Sequence, residues 1–110
     1  MSLISDQIQN QINSHDIILY MKGNDKFPMC GFSSAVVQIL KTLDVNFETV
    51  DVMQDSTLRA GIKEFTNWPT IPQLYVKGEF IGGCDIVREM YQTGELQTLL
   101  ADKGILKFPK

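Results

Sequence analysis

Apolar residues recur along the chain at two spacings, one typical of helices and one typical of strands. Ile4, Ile8 and Ile12 stand four residues apart among polar side chains, which predicts an amphipathic first helix. Leu3 could serve in place of Ile4 as its first apolar position. The continuous apolar run 17–21 that follows is typical of a strand buried on both faces. We therefore expect a helix followed by a central strand.

The same patterns predict a second helix, strand and helix. Apolar residues at helical spacing follow Cys30, which places this cysteine at a helix start. Segment 47–52 partly alternates apolar and polar side chains, as a strand does, and Ser56 is a suitable N-cap for a helix that would run to Phe65. The apolar positions of these two helices are Phe32, Val36, Ile39, Leu40, Leu43, Leu58, Ile62 and Phe65.

The last third predicts a hairpin and two helical segments. Strands 74–76 and 80–81 flank a turn at Gly78, so they should pair antiparallel. Asp85 is a good N-cap for a helix over 86–92, and a final helical segment spans 95–100.

This order of elements predicts an α/β domain with a four-stranded mixed sheet flanked by helices. A strand–helix–strand unit pairs its strands in parallel, and the hairpin adds two antiparallel strands. Neither repeats nor a linker interrupt the chain, so we expect a single domain over 1–110, with 104–110 as a short tail. Many small α/β proteins share such an order, so function must be inferred from particular residues.

Composition narrows the functional classes. The chain has 110 residues, 44% of them hydrophobic, and a net charge of −3 with its ten basic residues scattered, which argues against nucleic acid as a partner. The longest apolar run is too short to cross a bilayer, and the first residues do not resemble a secretory signal. With only two cysteines and no disulfide framework, a cytoplasmic location is expected.

Cys30 is the main candidate for chemistry. It opens a helix after Pro28, where free backbone N–H groups and the helix dipole stabilise a thiolate, and Lys22 would project from the same edge of the sheet. The alternative is an inert cysteine buried in the core.

The segment Cys30-Gly31-Phe32-Ser33 resembles the CGFS signature of the monothiol glutaredoxins. Three further blocks of the chain support the resemblance: 20–23 before this segment, then 67–75 with its Trp-Pro-Thr-Ile-Pro order, and 82–85. The similarity covers nearly the whole chain and implies a thioredoxin fold.

Ser33 stands where dithiol relatives have their second cysteine, and a hydroxyl cannot resolve a mixed disulfide. A [2Fe-2S] cluster needs four ligands, more than one exposed cysteine supplies. The resemblance implies that Cys30 is both the reactive thiol and a metal ligand, and that two protomers and two glutathiones hold a cluster in a homodimer.

The resemblance also implies a glutathione site. Lys22 and Arg59 would face the glycine carboxylate, although Lys63, one helical turn from Arg59, could serve instead. Thr70 and Ile71 would offer backbone hydrogen bonds to the cysteinyl part, with a cis bond between Ile71 and Pro72. The γ-glutamyl end would meet a helix start that comprises Gly83, Cys84 and Asp85.

Several residues keep alternative interpretations. Cys84 is a small residue beneath the glutathione site, a disulfide partner of Cys30 or a spare cluster ligand, and we favour the first. Trp68 is either a stacking platform or a packing residue. His15, the only histidine, is expected at the surface.

Two functions from different classes follow. The first is an iron–sulfur cluster carrier, active in iron homeostasis, that receives a cluster from an assembly scaffold and passes it to acceptor apoproteins. The resemblance implies that a BolA-like protein can replace one protomer. The second is a glutathione-dependent thiol–disulfide oxidoreductase that removes glutathione from protein thiols through Cys30.

Overall fold

The computed structural model of the protein describes residues 3–106 and contains the predicted order of elements. The elements are α1 (Leu3–Ser14), β1 (Ile17–Met21), α2 (Gly31–Thr42), β2 (Glu48–Asp51), α3 (Ser56–Thr66), β3 (Gln73–Val76), β4 (Glu79–Gly82), α4 (Cys84–Thr93) and α5 (Glu95–Asp102). A single turn of 3-10 helix, Val52–Gln54, replaces the predicted end of β2.

The four strands form one mixed sheet in the order β2-β1-β3-β4. β1 pairs with β2 in parallel, while β3 runs antiparallel to both β1 and β4. All five residues of β1 are buried, as its apolar run predicts. With helices on both faces of the sheet, this is a thioredoxin fold, and the predicted fold class is confirmed.

The sheet separates two apolar layers. Ile17, Leu19 and Met21 of β1 face the layer that α2, α4 and α5 complete. Ile18 and Tyr20 face the other layer, which α1 and α3 complete. Alternate residues of a strand point to opposite faces, so the central strand supplies both layers at once.

Two helix caps differ from the predicted ones. Asp55, and not Ser56, caps α3, since its carboxylate accepts hydrogen bonds from the N–H groups of Thr57 at 2.9 Å and Leu58 at 3.2 Å. The chain enters α4 at Gly83, which takes the N-cap position, so that Asp85 lies in the first turn. A carboxylate there still interacts favourably with the helix dipole.

The start of the predicted tail packs on α5. The N–H groups of Ile105 and Leu106 both donate to the carbonyl of Leu100, at 2.9 and 3.2 Å, and Leu106 is buried. The rest of the tail, 107–110, lies outside the described residues.

Candidate functional site

A cleft of about 450 Å³ opens where β1 ends, α2 begins and the segment before β3 passes. Seven of the eight predicted site residues line this cleft: Lys22, Cys30, Thr70, Ile71, Gly83, Cys84 and Asp85. Arg59 is exposed and is not among the lining residues. The structure thus brings together residues that are up to 63 positions apart in the sequence, from Lys22 to Asp85.

The thiol of Cys30 lies at the N-cap of α2 and is partly exposed. Its pKa is below the ordinary value, chiefly because the backbone N–H of Ser33 stabilises the thiolate. Partial burial opposes this effect, but the N–H of Phe32, the charge of Lys22 and the hydroxyl of Ser33 add to the lowering. The side chain is suited to be a nucleophile or a metal ligand.

Ser33 is completely buried although it carries a polar side chain. Its Oγ accepts a hydrogen bond of 3.2 Å from the backbone N–H of Lys22, which leaves the hydroxyl proton free to be donated to Cys30. Through these two hydrogen bonds, Ser33 connects the end of β1 to the Cys30 thiol.

The loop between β1 and α2 is ordered by side-chain hydrogen bonds. Asn24 Oδ1 accepts from the N–H groups of Lys26 and Phe27, and Asp51 Oδ1 accepts from the N–H of Gly23 at 3.0 Å. Gly23 has a φ of +84°, and a Cβ there would collide with the Phe27 carbonyl. Glycine is required at this turn because other residues adopt such a φ at a cost. The loop holds Met29 exposed beside Cys30.

The two candidate cations, Arg59 and Lys63, differ in their distance from the cleft. Both belong to α3, but Lys63 lines the cleft and Arg59 does not. Because residues four apart lie one above the other on a helix, Lys63 occupies the end of α3 nearest the segment 67–72, and Arg59 lies a turn further away. Lys63 is therefore the better-placed partner for an anionic ligand.

The segment 67–72 forms the wall opposite Cys30. The Ile71–Pro72 bond is cis, as predicted. Trp68 packs against Phe80 with ring centroids 5.5 Å apart, which is the packing role considered for it, and it also lines the cleft. Its indole N–H is buried without a hydrogen-bond partner among the described residues.

The remaining wall is the start of α4. A Cβ on Gly83 would come within 3.2 Å of the Pro72 carbonyl oxygen and 3.4 Å of Trp68 Nε1, so the two walls approach closely there. Burial raises the pKa of the Cys84 thiol, although Arg88 Nη2 lies 3.5 Å from its sulfur. Both cysteines are free, and Cys84 is buried where Cys30 is not.

His15 is exposed before β1, at the opposite end of that strand from Lys22. Some lining residues were not predicted. Phe32, Pro69 and Ile86 belong to the cleft, and each lies within two residues of a predicted site residue, so neighbours in the matched segments were the available signal. Gln73, which underlies the wall, was also missed, and its signal was an isolated polar side chain next to the apolar run 74–76.

Chemically, the cleft offers one accessible thiol of low pKa, two lysines on one side and a helix start on the other. Within residues 3–106, no group of three or more His, Cys, Asp or Glu side chains is placed to hold a metal ion. None of the helices in that range combines the length and apolarity that spanning a bilayer requires. The fold and the site together define a protein of the thiol-dependent redox class.

Comparison with known proteins identifies the family. The family model described as Glutaredoxin matches residues 17–81. Glutaredoxin 4 of Pasteurella multocida is 51% identical over 105 residues, which cover 96% of this chain and 95% of that protein. Monothiol glutaredoxin-S14 of Arabidopsis thaliana, a chloroplastic protein, is 55% identical over 94 residues, or 86% of this chain, which spans only 54% of the plant protein.

Solved structures agree. The solution structure of a monomeric truncated mutant of Trypanosoma brucei 1-C-Grx1 matches with a TM-score of 0.87 and 36% identity, and it covers both chains completely. The crystal structure of a buckwheat glutaredoxin–glutathione complex matches with a TM-score of 0.83 and 25% identity, over 96% of this chain and 94% of the other. The chain belongs to the glutaredoxin family, and the single cysteine of its CGFS segment is that of the monothiol class.

Proposed function

We propose that the protein binds glutathione in the cleft and, as a homodimer, carries a [2Fe-2S] cluster that it transfers to acceptor apoproteins. The observation that carries the proposal is the accessible Cys30 thiol of low pKa with Ser33, and not a second thiol, one helical turn later. Cluster iron prefers thiolate ligands, and each protomer offers one that is partly exposed. Two further ligands must then come from outside the protein.

The charges that line the cleft suit glutathione. Lys22 and Lys63 would bind its glycine carboxylate, and the N–H groups at the start of α4 would bind the γ-glutamyl carboxylate. Asp85 would pair with its ammonium group. The buckwheat structure with a TM-score of 0.83 is a glutathione complex, which supports this assignment by likeness.

The partners belong to the same proposal. A cluster held partly by glutathione leaves the protein without unfolding it, because exchange of the tripeptide or separation of the protomers is sufficient. We propose an assembly scaffold as donor, apoproteins as acceptors and a BolA-like protein as an alternative to the second protomer. A cytoplasmic setting, where thiols stay reduced, suits Cys30.

The low pKa of Cys30 also favours a second candidate function, the removal of glutathione from protein thiols. The Cys30 thiolate would attack the glutathionyl sulfur, and the protein thiolate would leave. A second glutathione thiolate would then attack the Cys30 mixed disulfide and release glutathione disulfide. Ser33 does not prevent this route, since glutathione is the resolving thiol.

Anaerobic reconstitution with iron, sulfide and glutathione tests the carrier. The wild type should give a coloured dimer, Cys30→Ser should give none, and Cys84→Ser should resemble the wild type. Lys22→Ala should weaken glutathione binding and shorten the cluster's lifetime, whereas Lys26→Ala, an exposed lysine of the same loop outside the cleft lining, should change neither. A colourless wild-type monomer with rapid glutathione-dependent reductase activity would favour the second function.

A further inference from the structure

Gln73 is a completely buried polar residue beneath the wall of the cleft. It opens β3 and is paired with Tyr20 of the central strand, so its backbone is fixed by the sheet. Its side chain does not line the cleft. Buried amides are costly unless they are hydrogen-bonded, which raises the question of what this one holds.

Both ends of the Gln73 amide have partners. Nε2 donates to the carbonyl oxygens of Trp68, at 3.1 Å, and Thr70, at 3.3 Å. Oε1 accepts from the hydroxyls of Thr66 and Tyr75, each at 3.1 Å. The two carbonyls can only accept, so they fix which end of the amide faces the 67–72 segment.

The hydrogen bond from Gln73 to the Thr70 carbonyl also sets the direction of the N–H group of the next residue, Ile71. The Thr70–Ile71 bond is trans, because Ile71–Pro72 is the cis bond found in the described chain. In a trans peptide the C=O and N–H groups point in opposite directions. When Gln73 holds the Thr70 carbonyl on the interior side, the Ile71 N–H is turned toward the cleft that Ile71 lines. No hydrogen bond within residues 3–106 occupies this N–H.

We infer that Gln73 is a positioning residue for the ligand: its amide orients the Thr70–Ile71 peptide so that the Ile71 N–H is available to a glutathione carbonyl. This role rests on the proposed glutathione site and deepens it. Gln73 binds the carbonyls of Trp68 and Thr70, on either side of Pro69, and so fixes the conformation of this wall of the cleft. It does this without contacting the ligand or the Cys30 thiol.

The test is Gln73→Met in the full chain, because methionine has a similar size and no donor. Titration with reduced glutathione, followed by NMR, should give a dissociation constant about tenfold higher than that of the wild type. The reason is that the two hydrogen bonds that order the segment 67–72 are lost. The glutathione-induced shift of the Ile71 amide should fall, while the pKa of Cys30 should stay at its wild-type position. If the substitution instead loosened the packing of the whole site, the pKa of Cys30 would change as well.

Tyr75→Phe is the matched control, because it removes one hydrogen bond of the same buried network and leaves both donors of Gln73 in place. It should bind glutathione within about twofold of the wild type. If Gln73→Met does not fold, Gln73→Leu also removes both donors without burying a charge and should show the same weakening.

The possible outcomes distinguish the positioning role of Gln73 from the proposed glutathione site on which it rests. Wild-type affinity in a folded Gln73→Met protein would overturn the positioning role and leave the glutathione site intact. An equal loss in Gln73→Met and Tyr75→Phe would also overturn it, because stability alone would then explain the effect. A wild type that does not bind glutathione would remove the proposed site and the inference together.

Discussion

Four groups lower the pKa of the Cys30 thiol, and the first of them is the backbone N–H of Ser33. A backbone N–H at a helix start cannot be removed by mutating its side chain. The Lys22 charge and the Ser33 hydroxyl are the two contributions to the lowered pKa that a side-chain substitution can remove. The reactivity of this residue is therefore set mostly by where α2 begins.

Lys22→Ala and Ser33→Ala should each raise the pKa of Cys30 and leave it below the ordinary thiol value. The thiolate fraction at neutral pH should fall in both, as ultraviolet absorbance during a pH titration would show. Added salt should raise the wild-type pKa slightly and have less effect in Lys22→Ala, since salt screens the lysine. Because the folded pKa is depressed, ionisation stabilises the fold as pH rises through it, and this gain is lost at lower pH.

Ser34→Ala and Lys26→Ala are the controls for this titration, since both residues are exposed near Cys30 and neither lowers its pKa. A return to the ordinary thiol value in Ser33→Ala would contradict the dominance of the backbone groups.

At the scale of elements, the close approach of α1 and α3 depends on Gly61. A Cβ at this position would fall on Cγ2 of Ile4, a β-branched side chain with little freedom to move. Gly61 thus permits a contact between the two helices that cover one face of the sheet.

Gly61→Ala should destabilise the protein by about 1–3 kcal/mol, the usual cost of overpacking, as urea unfolding would show. Gly31→Ala, with nothing within 4 Å of its added Cβ, should be neutral or stabilising by up to about 1 kcal/mol. Ile4→Ala should reduce the cost of Gly61→Ala, because the pair would then no longer collide. Additive effects in the double variant would refute the contact.

The element order could be predicted from the sequence because the helices have apolar residues at helical spacing and the central strand is a continuous apolar run. Helix caps were harder, since Asp55 and Ser56 are equally suitable cap residues, and only the backbone decides between neighbours. Most site residues followed from the resemblance, but Arg59 and Lys63 differ by one helical turn, and their separation from the cleft is a tertiary distance. The sequence shows Gln73 as an isolated polar residue, but its role could not be assigned, because it depends on hydrogen bonds to backbone carbonyls that only the fold brings near.

The proposed cluster needs more ligands than one chain supplies, so its assembly should depend on glutathione. The chain is small, with a Cα radius of gyration of 13.3 Å. In the proposed homodimer, two such chains would meet at the mouths of their clefts.

Removing free glutathione anaerobically from the reconstituted protein should bleach the cluster and return the protein to monomer mass, as size-exclusion chromatography with light scattering would show. Cys84→Ser should behave in the same way, because the Cys84 thiol is buried and Cys30 is the proposed ligand. Retention of colour at monomer mass after complete removal would contradict the shared ligation.

The helices that carry cleft residues pack on two different apolar layers, one on each side of the sheet. Cys30 is anchored through α2 in one layer and Lys63 through α3 in the other. Under the proposed function, substitutions in the layer beneath α1 and α3 would shift Lys63, and with it the affinity for the glutathione carboxylate, more than they would alter the Cys30 thiol. Affinity for glutathione could then change with little effect on cluster ligation.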